Sequence, residues 1–265
     1  MRAAAPDEKG KTMDAKGQAA IVTGGASGLG AGAAKALAKA GAKVAVLDLN
    51  GDGANAVAKE IGGIGIACDV ADPASAEAAI KEAAAKHGPA RIAVNCAGIV
   101  FGGRVVGRDG PMELAKFERV IRVNLIGTFN IMRLAAAAMS ALEPMADGER
   151  GVIVNTSSVA AFDGQTGQTA YAASKGGIAA LTLPAARDLA GRGVRIMAIA
   201  PGLFATPMMF GLPPESQKTL GESVPFPSRL GDPEEFAQLV LHICANRMLN
   251  GETIRLDGAL RLPPK

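Results

Sequence analysis

The chain has 265 residues, 49% of them hydrophobic and 20% charged, with 34 glycines and a formal net charge of +3. That balance belongs to a folded globular chain and excludes a disordered or fibrous one. The small, dispersed positive charge makes no basic stripe, so nucleic acid is not an expected partner.

The first residues, "MRAAAPDEKGKTMDAKG", carry acidic side chains and no apolar run, which argues against a secretory signal. Residues 1–13 read as a disordered leader, with Met13 a possible start, and 14–265 as a single domain. Apolar stretches such as "LAAAAMSAL" at 134–142 fall short of the roughly 18 residues that cross a bilayer, so no membrane span is expected.

Near-continuous apolar runs predict strands at 19–23, 43–48, 64–68, 91–95, 151–157, 194–200 and 252–257. Such runs suit parallel strands buried on both faces. Alanine-rich stretches between them predict helices at about 28–40, 73–87, 113–142, 168–190 and 232–245, with Asp72-Pro73 and Asp232-Pro233 as start signals. The alternation predicts the α/β class: a doubly wound parallel sheet with helices on both faces. Two excursions, 101–112 and 201–230, leave the carboxyl ends of strands, where open α/β sheets bind ligands.

The motifs follow the same order. "IVTGGASGLG" at 21–30 is a strand, a glycine turn and a helix start, whose amides at Gly24, Gly28 and Gly30 suit a pyrophosphate. Asp48 ends the second strand about 20 residues on, where a carboxylate would accept from an adenosine ribose and repel a 2′-phosphate. Its plainer alternative is a solvated carboxylate. Asp69 could accept from an adenine amino group, and Gly98 in "NCAG" would let the backbone approach a cofactor. Cys96 reads as a small buried hydrophobe. Cys68, Cys96 and Cys244 have no C-x-x-C spacing, so neither disulfides nor a metal site is expected, and a reducing, cytoplasmic compartment fits.

Tyr171, the one tyrosine of the chain, precedes Lys175 by four positions and so shares a helix face with it. A phenol titrates near 10, and a neighbouring cation favours the phenolate. Ser158, thirteen residues earlier in "NTSSVAA", stands at the carboxyl edge of the sheet and could hold a substrate oxygen. Asn124 in "VNLIGT" could extend a water-mediated proton path to Lys175, or be a satisfied mid-helix amide.

T-G-x-x-x-G-x-G, the strand-end Asp, N-x-A-G, Asn, Ser and Y-x-x-x-K, in this order, resemble the short-chain dehydrogenase/reductase family over residues 18 to about 260. The resemblance implies a Rossmann-type single domain, a nicotinamide cofactor and a catalytic tetrad of Asn124, Ser158, Tyr171 and Lys175. "GVIVNTSSVAAFDGQTGQTAYAASKGG" and "VPFPSRLGDPEEFAQLV" narrow it to the type 2 3-hydroxyacyl-CoA dehydrogenase subgroup, also known as type 10 17β-hydroxysteroid dehydrogenases. That subgroup implies NAD, an acyl-CoA thioester as substrate and a homotetramer. Its cofactor contacts would fall on Ser27, Leu29, Asp48, Asp69, Val70, Cys96, Ala97, Tyr171, Lys175, Pro201, Phe204 and Thr206, and Gln165 would sit near the substrate. A hydroxysteroid or other secondary alcohol is the alternative substrate, and a non-catalytic NAD-binding sensor or scaffold the alternative of another class.

Overall fold

Seven of the apolar runs pair into one parallel sheet. In the computed structural model, which describes residues 13–264, the strands in chain order are β1 (Ala19–Thr23), β2 (Lys43–Asp48), β3 (Ile64–Ala67), β4 (Ile92–Asn95), the short hairpin pair β5 (Val106–Gly107) and β6 (Gly110–Pro111), β7 (Gly151–Thr156), β8 (Val194–Pro201) and β9 (Thr253–Leu256). The helices are α1 (Gly28–Lys39), α2 (Gly51–Ile61), α3 (Pro73–His87), α4 (Leu114–Ile121), α5 (Gly127–Ser140), α6 (Thr169–Ala190), α7 (Pro207–Phe210), α8 (Pro214–Glu222) and α9 (Pro233–Ala245).

The main sheet runs β3-β2-β1-β4-β7-β8-β9, all parallel. Its order reverses between β1 and β4, which is the crevice where Rossmann-type sheets take dinucleotides. Side chains alternate across the sheet. Ala20, Val22, Val44, Val46 and Val94 face α1, α2 and α9 on one side. Ile21, Ala45, Leu47, Ala93 and Ile153 face α3, α5 and α6 on the other. With both faces covered, no strand needs a polar face, which is why each reads as an unbroken apolar run.

The two expected helix caps form. Asp72 accepts from Ser75 N at 2.6 Å, and Asp232 closes a capping box with Glu235. Helix α2 is not among the expected elements because "NGDGAN" reads as a turn. Asn50 accepts from Gly53 N at 3.1 Å and Ala54, Val57 and Ala58 are buried, so capping and packing override the weak propensity of two glycines.

One departure concerns membrane length. The segment Leu114–Ser140 is a single 27-residue helical run, long and apolar enough by composition to cross a bilayer, and half of its most apolar window is buried inside the protein. Individual apolar runs are short, but Arg133 is the one charge between Val123 and Ser140 and the helix continues past it. A second departure is Met13, assigned above to the leader. It is fully buried in the α1/α9 core, while residues 1–12 lie outside the described residues.

On β8, Arg195 is buried and works as a helix cap. It donates to Glu149 at 2.8 Å and to the carbonyls of Ile243, Cys244, Asn246 and Leu249, four acceptors at and beyond the end of α9. The guanidinium thereby fixes α9, which packs on α1 and so on the glycine turn.

Candidate active site

The carboxyl ends of β1, β4 and β7 bring the predicted groups to one edge. Beyond β7, Ser158 caps a short 3-10 turn and its Oγ accepts from Ala160 N at 3.1 Å. Tyr171 and Lys175 lie on the first turns of α6, on the same face as the helix period requires. The Ser158 hydroxyl lies beside the Tyr171 phenol, where it favours the charged form. Lys175 Nζ sits 5.8 Å from the Tyr171 ring centre and donates to Thr156 O at 2.7 Å. Ser157 Oγ donates to Lys175 O at 2.8 Å, which ties α6 to the end of β7.

Asn124 arrives by a break in helical regularity. Between α4 and α5 the chain runs through a π turn, Arg122–Ile126, in which Gly127 N donates to Arg122 O. Such turns insert one residue and re-aim a side chain. The fully buried Asn124 accepts from Ile99 N at 2.8 Å and donates to Ile99 O at 2.9 Å and to Ser174 Oγ at 3.0 Å. Both amide hydrogens are therefore used, while Oδ1 keeps a second lone pair.

The electrostatics depart from expectation in direction. Lys175 is placed as if to lower the phenol, yet burial holds Tyr171 above its ordinary value, opposed by the Ser158 hydroxyl. Burial also pushes Lys175 down to about 8. Desolvation outweighs proximity for both groups. Cys96 is pushed up to about 11 by burial, and Thr156 Oγ1 donates to its sulfur at 3.4 Å.

The crevice has the shape a dinucleotide requires. Gly24 and Gly28 have positive φ, and a Cβ on Gly30 would lie 2.2 Å from Gly24 O, so a side chain there would destroy the turn. Ser27 caps α1 without a side-chain cap bond, leaving the helix start to face outward. A Cβ on Gly98 would stand 3.3 Å from Asn124 Oδ1 and 3.6 Å from Lys175 Nζ, in the space in front of those groups. Asp48 accepts from Ala26 N at 3.0 Å and Asn50 N at 2.9 Å, one bond per oxygen, which leaves lone pairs for a ribose. Leu29 packs partly on the α1 core. Asp69 Oδ1 accepts from Ala71 N, and the buried Val70 gives its carbonyl to Asn130 at 2.9 Å, an anchor that no sequence motif marked. Ala97 N donates to Thr23 Oγ1.

The long excursion returns to this crevice. Pro201 ends β8, and Thr206 comes within 3.4 Å of the position a Gly28 side chain would take. Phe204, expected among the cofactor contacts, is buried against Gly231, so any contact it makes there is through its backbone. Met208, Phe210 and Leu212 are exposed. Gln165 lines a cavity of about 410 Å³ with Arg104, Val105, Val106, Thr166, Gly167 and Thr169, and its amide donates to Pro263 O at 3.0 Å. Gly103 N donates to Gly167 O, which hooks the 101–112 excursion to the loop before α6.

A family model described as short chain dehydrogenase matches residues 18–216. The chain belongs to the short-chain dehydrogenase family. It is an oxidoreductase, and the family implies a nicotinamide cofactor. The chain is 50% identical over 253 residues to 3-hydroxyacyl-CoA dehydrogenase type-2 of Homo sapiens, covering 94% of this chain and 97% of that one. It is likewise 50% identical to the Drosophila melanogaster protein of that name, over 94% and 99% of the two chains. The crystal structure of 3-hydroxyacyl-CoA dehydrogenase type-2 from Mycobacterium avium superposes with a TM-score of 0.90 at 42% identity, covering 94% of this chain and 98% of that one.

Proposed function

We propose that this dehydrogenase interconverts a 3-hydroxyacyl-CoA, of L configuration, and its 3-ketoacyl-CoA with NAD as redox partner. The observation that carries the reading is the convergence of Ser158, the lone tyrosine and a buried lysine 5.8 Å from its ring centre, at the mouth of a glycine-lined crevice. Similarity to relatives named 3-hydroxyacyl-CoA dehydrogenase type-2 supports the substrate class.

Gly24, Ser27, Gly28, Leu29 and Gly30 would hold the pyrophosphate, Asp48 the adenosine ribose, Asp69 and Val70 the adenine, and Cys96, Ala97, Gly98, Pro201, Phe204 and Thr206 the nicotinamide half. Held there, the nicotinamide would supply hydride exchange with the carbinol carbon, accepting in oxidation and donating in reduction. Ser158 hydrogen-bonds the reacting oxygen and keeps it against Tyr171. In oxidation Tyr171 Oη takes the hydroxyl proton, and in reduction it gives that proton to the ketone oxygen. Lys175 would hold the cofactor ribose and, as a cation, would favour the phenolate. Asn124 holds the backbone at Ile99 and the first turn of α6. A protein that only binds NAD needs neither Ser158 nor Tyr171.

Asp48 favours NAD, because a 2′-phosphate would meet a carboxylate already fixed by two backbone amides. Arg104, which lines the Gln165 cavity, would meet a nucleotide phosphate of coenzyme A. Three free cysteines suit a reducing compartment such as the cytoplasm. The substrate reading is tested by kcat/KM for acetoacetyl-CoA, for a truncated thioester without the nucleotide, and for a steroid ketone, each with NADH. The CoA thioester should be preferred. Equal values for the truncated thioester, or preference for the steroid, would remove coenzyme A from the reading while leaving the dehydrogenase.

A further inference from the structure

Ser174 lies between Tyr171 and Lys175 on α6, fully buried, and no motif of the sequence gives it a role. Its hydrogen bonds run in one direction only. Asn124 Nδ2 donates to Ser174 Oγ at 3.0 Å, and Ser174 Oγ donates to Tyr171 O at 2.7 Å. An amide nitrogen cannot accept, so the single hydroxyl proton of Ser174 has to point at the Tyr171 carbonyl. The other end of the chain is equally determined. Asn124 uses its remaining donor and its acceptor on the two backbone groups of Ile99, next to Gly98 in the crevice wall. One continuous line of bonds thus joins the strand-end loop after β4, the π turn and the backbone of the tyrosine.

We infer that Ser174 is a positioning residue, which fixes the first turn of α6 against the π turn and so holds Tyr171 Oη in register with Ser158. The inference rests on Tyr171 being the proton-exchanging group. The α-helical ladder alone does not set that register, because it fixes Tyr171 relative to its own helix and not relative to Ile99 or Gly98. Ser157, donating to Lys175 O one turn further on, anchors the same helix to β7. Two serine hydroxyls therefore tie down the turn that carries Tyr171 and Lys175, Ser174 to the π turn through Asn124 and Ser157 to the end of β7. Removing the Ser174 hydroxyl leaves an Asn124 N–H without a partner in a fully buried place, which forces the amide or the helix to shift.

The test compares wild type, Ser174→Ala, Ser174→Thr and Tyr171→Phe for acetoacetyl-CoA reduction, with NADH affinity measured separately by fluorescence titration. Ser174→Ala should lower kcat about tenfold while KM and the NADH Kd stay within about twofold, since a small misplacement of reacting groups acts on turnover. Ser174→Thr, which keeps the hydroxyl, should recover most of the loss. A Ser174→Ala enzyme with wild-type kcat would overturn the inference, as would a kcat loss matched by equal weakening of NADH binding. If the alanine variant is recovered unfolded, Ser174→Cys fills nearly the same space with a much weaker hydrogen-bonding group, and the same tenfold fall against wild-type kcat decides. A Tyr171→Phe enzyme that still turns over would instead overturn the reading of Tyr171 itself.

Discussion

Proton transfer at a phenol depends on which protonation state the free protein holds. Burial keeps Tyr171 protonated beyond its ordinary range, with only the Ser158 hydroxyl pulling the other way, and burial lowers Lys175 to about 8. Reduction of a ketone needs the protonated phenol, and oxidation of an alcohol needs the phenolate. Oxidation of the hydroxyacyl substrate should therefore rise in kcat/KM as pH increases from neutral into the alkaline range, while ketone reduction stays level and falls only at the alkaline end. Steady-state profiles in both directions check this, and an oxidation rate that is flat across the alkaline range would contradict it. Tyr171, Lys175 and Ser158 were legible because a chain with one tyrosine leaves little choice and the spacing of four defines a helix face. The direction of the shift was not, since desolvation is a property of the packed environment and leaves no mark on local sequence.

At the scale of elements, unbroken apolar runs located all seven sheet strands, and alanine-rich stretches located five helical regions, to within one or two residues at most ends. What escaped were α2, where an asparagine cap and three buried side chains outweigh glycine, the β5–β6 hairpin and helices α7 and α8 inside the two excursions, and the π turn at Arg122–Ile126, whose extra residue has no compositional signature. The Glu149–Arg195 pair also escaped, because its partners are 46 residues apart and meet only after folding. Both side chains are less than 10% exposed. Glu149→Ala should leave the Arg195 charge buried without its counter-ion and destabilise the protein by about 3–5 kcal/mol. The reverse replacement strips the end of α9 of its cap. Chemical denaturation of Glu149→Ala measures the cost, and a change under about 1 kcal/mol would show that the four carbonyls alone hold the guanidinium.

The whole molecule leaves more apolar surface on its helices than its own sheet covers. Leu114, Ile126 and Phe129 along the α4 to α5 run, and Leu183 on α6, are exposed. We propose that burial between the subunits of a homotetramer covers them; light scattering at micromolar concentration should report four chains, and a monomer would contradict the proposal. The order of strands, and with it the crevice between β1 and β4, follows from a sequence that alternates buried strands with amphipathic or apolar helices. The shape of the substrate side does not, because the 101–112 and 201–230 excursions are placed by long-range contacts such as Gly103 to Gly167 and Phe204 to Gly231. The claim on which everything else depends is that this crevice carries out acyl-CoA redox chemistry through Tyr171. The most direct measurement is the turnover of acetoacetyl-CoA with NADH by wild type and Tyr171→Phe, beside the NADH affinity of each. The phenylalanine enzyme should lose about 10²- to 10⁴-fold in kcat and bind NADH nearly as well as wild type. Turnover within a few-fold of wild type would contradict the account.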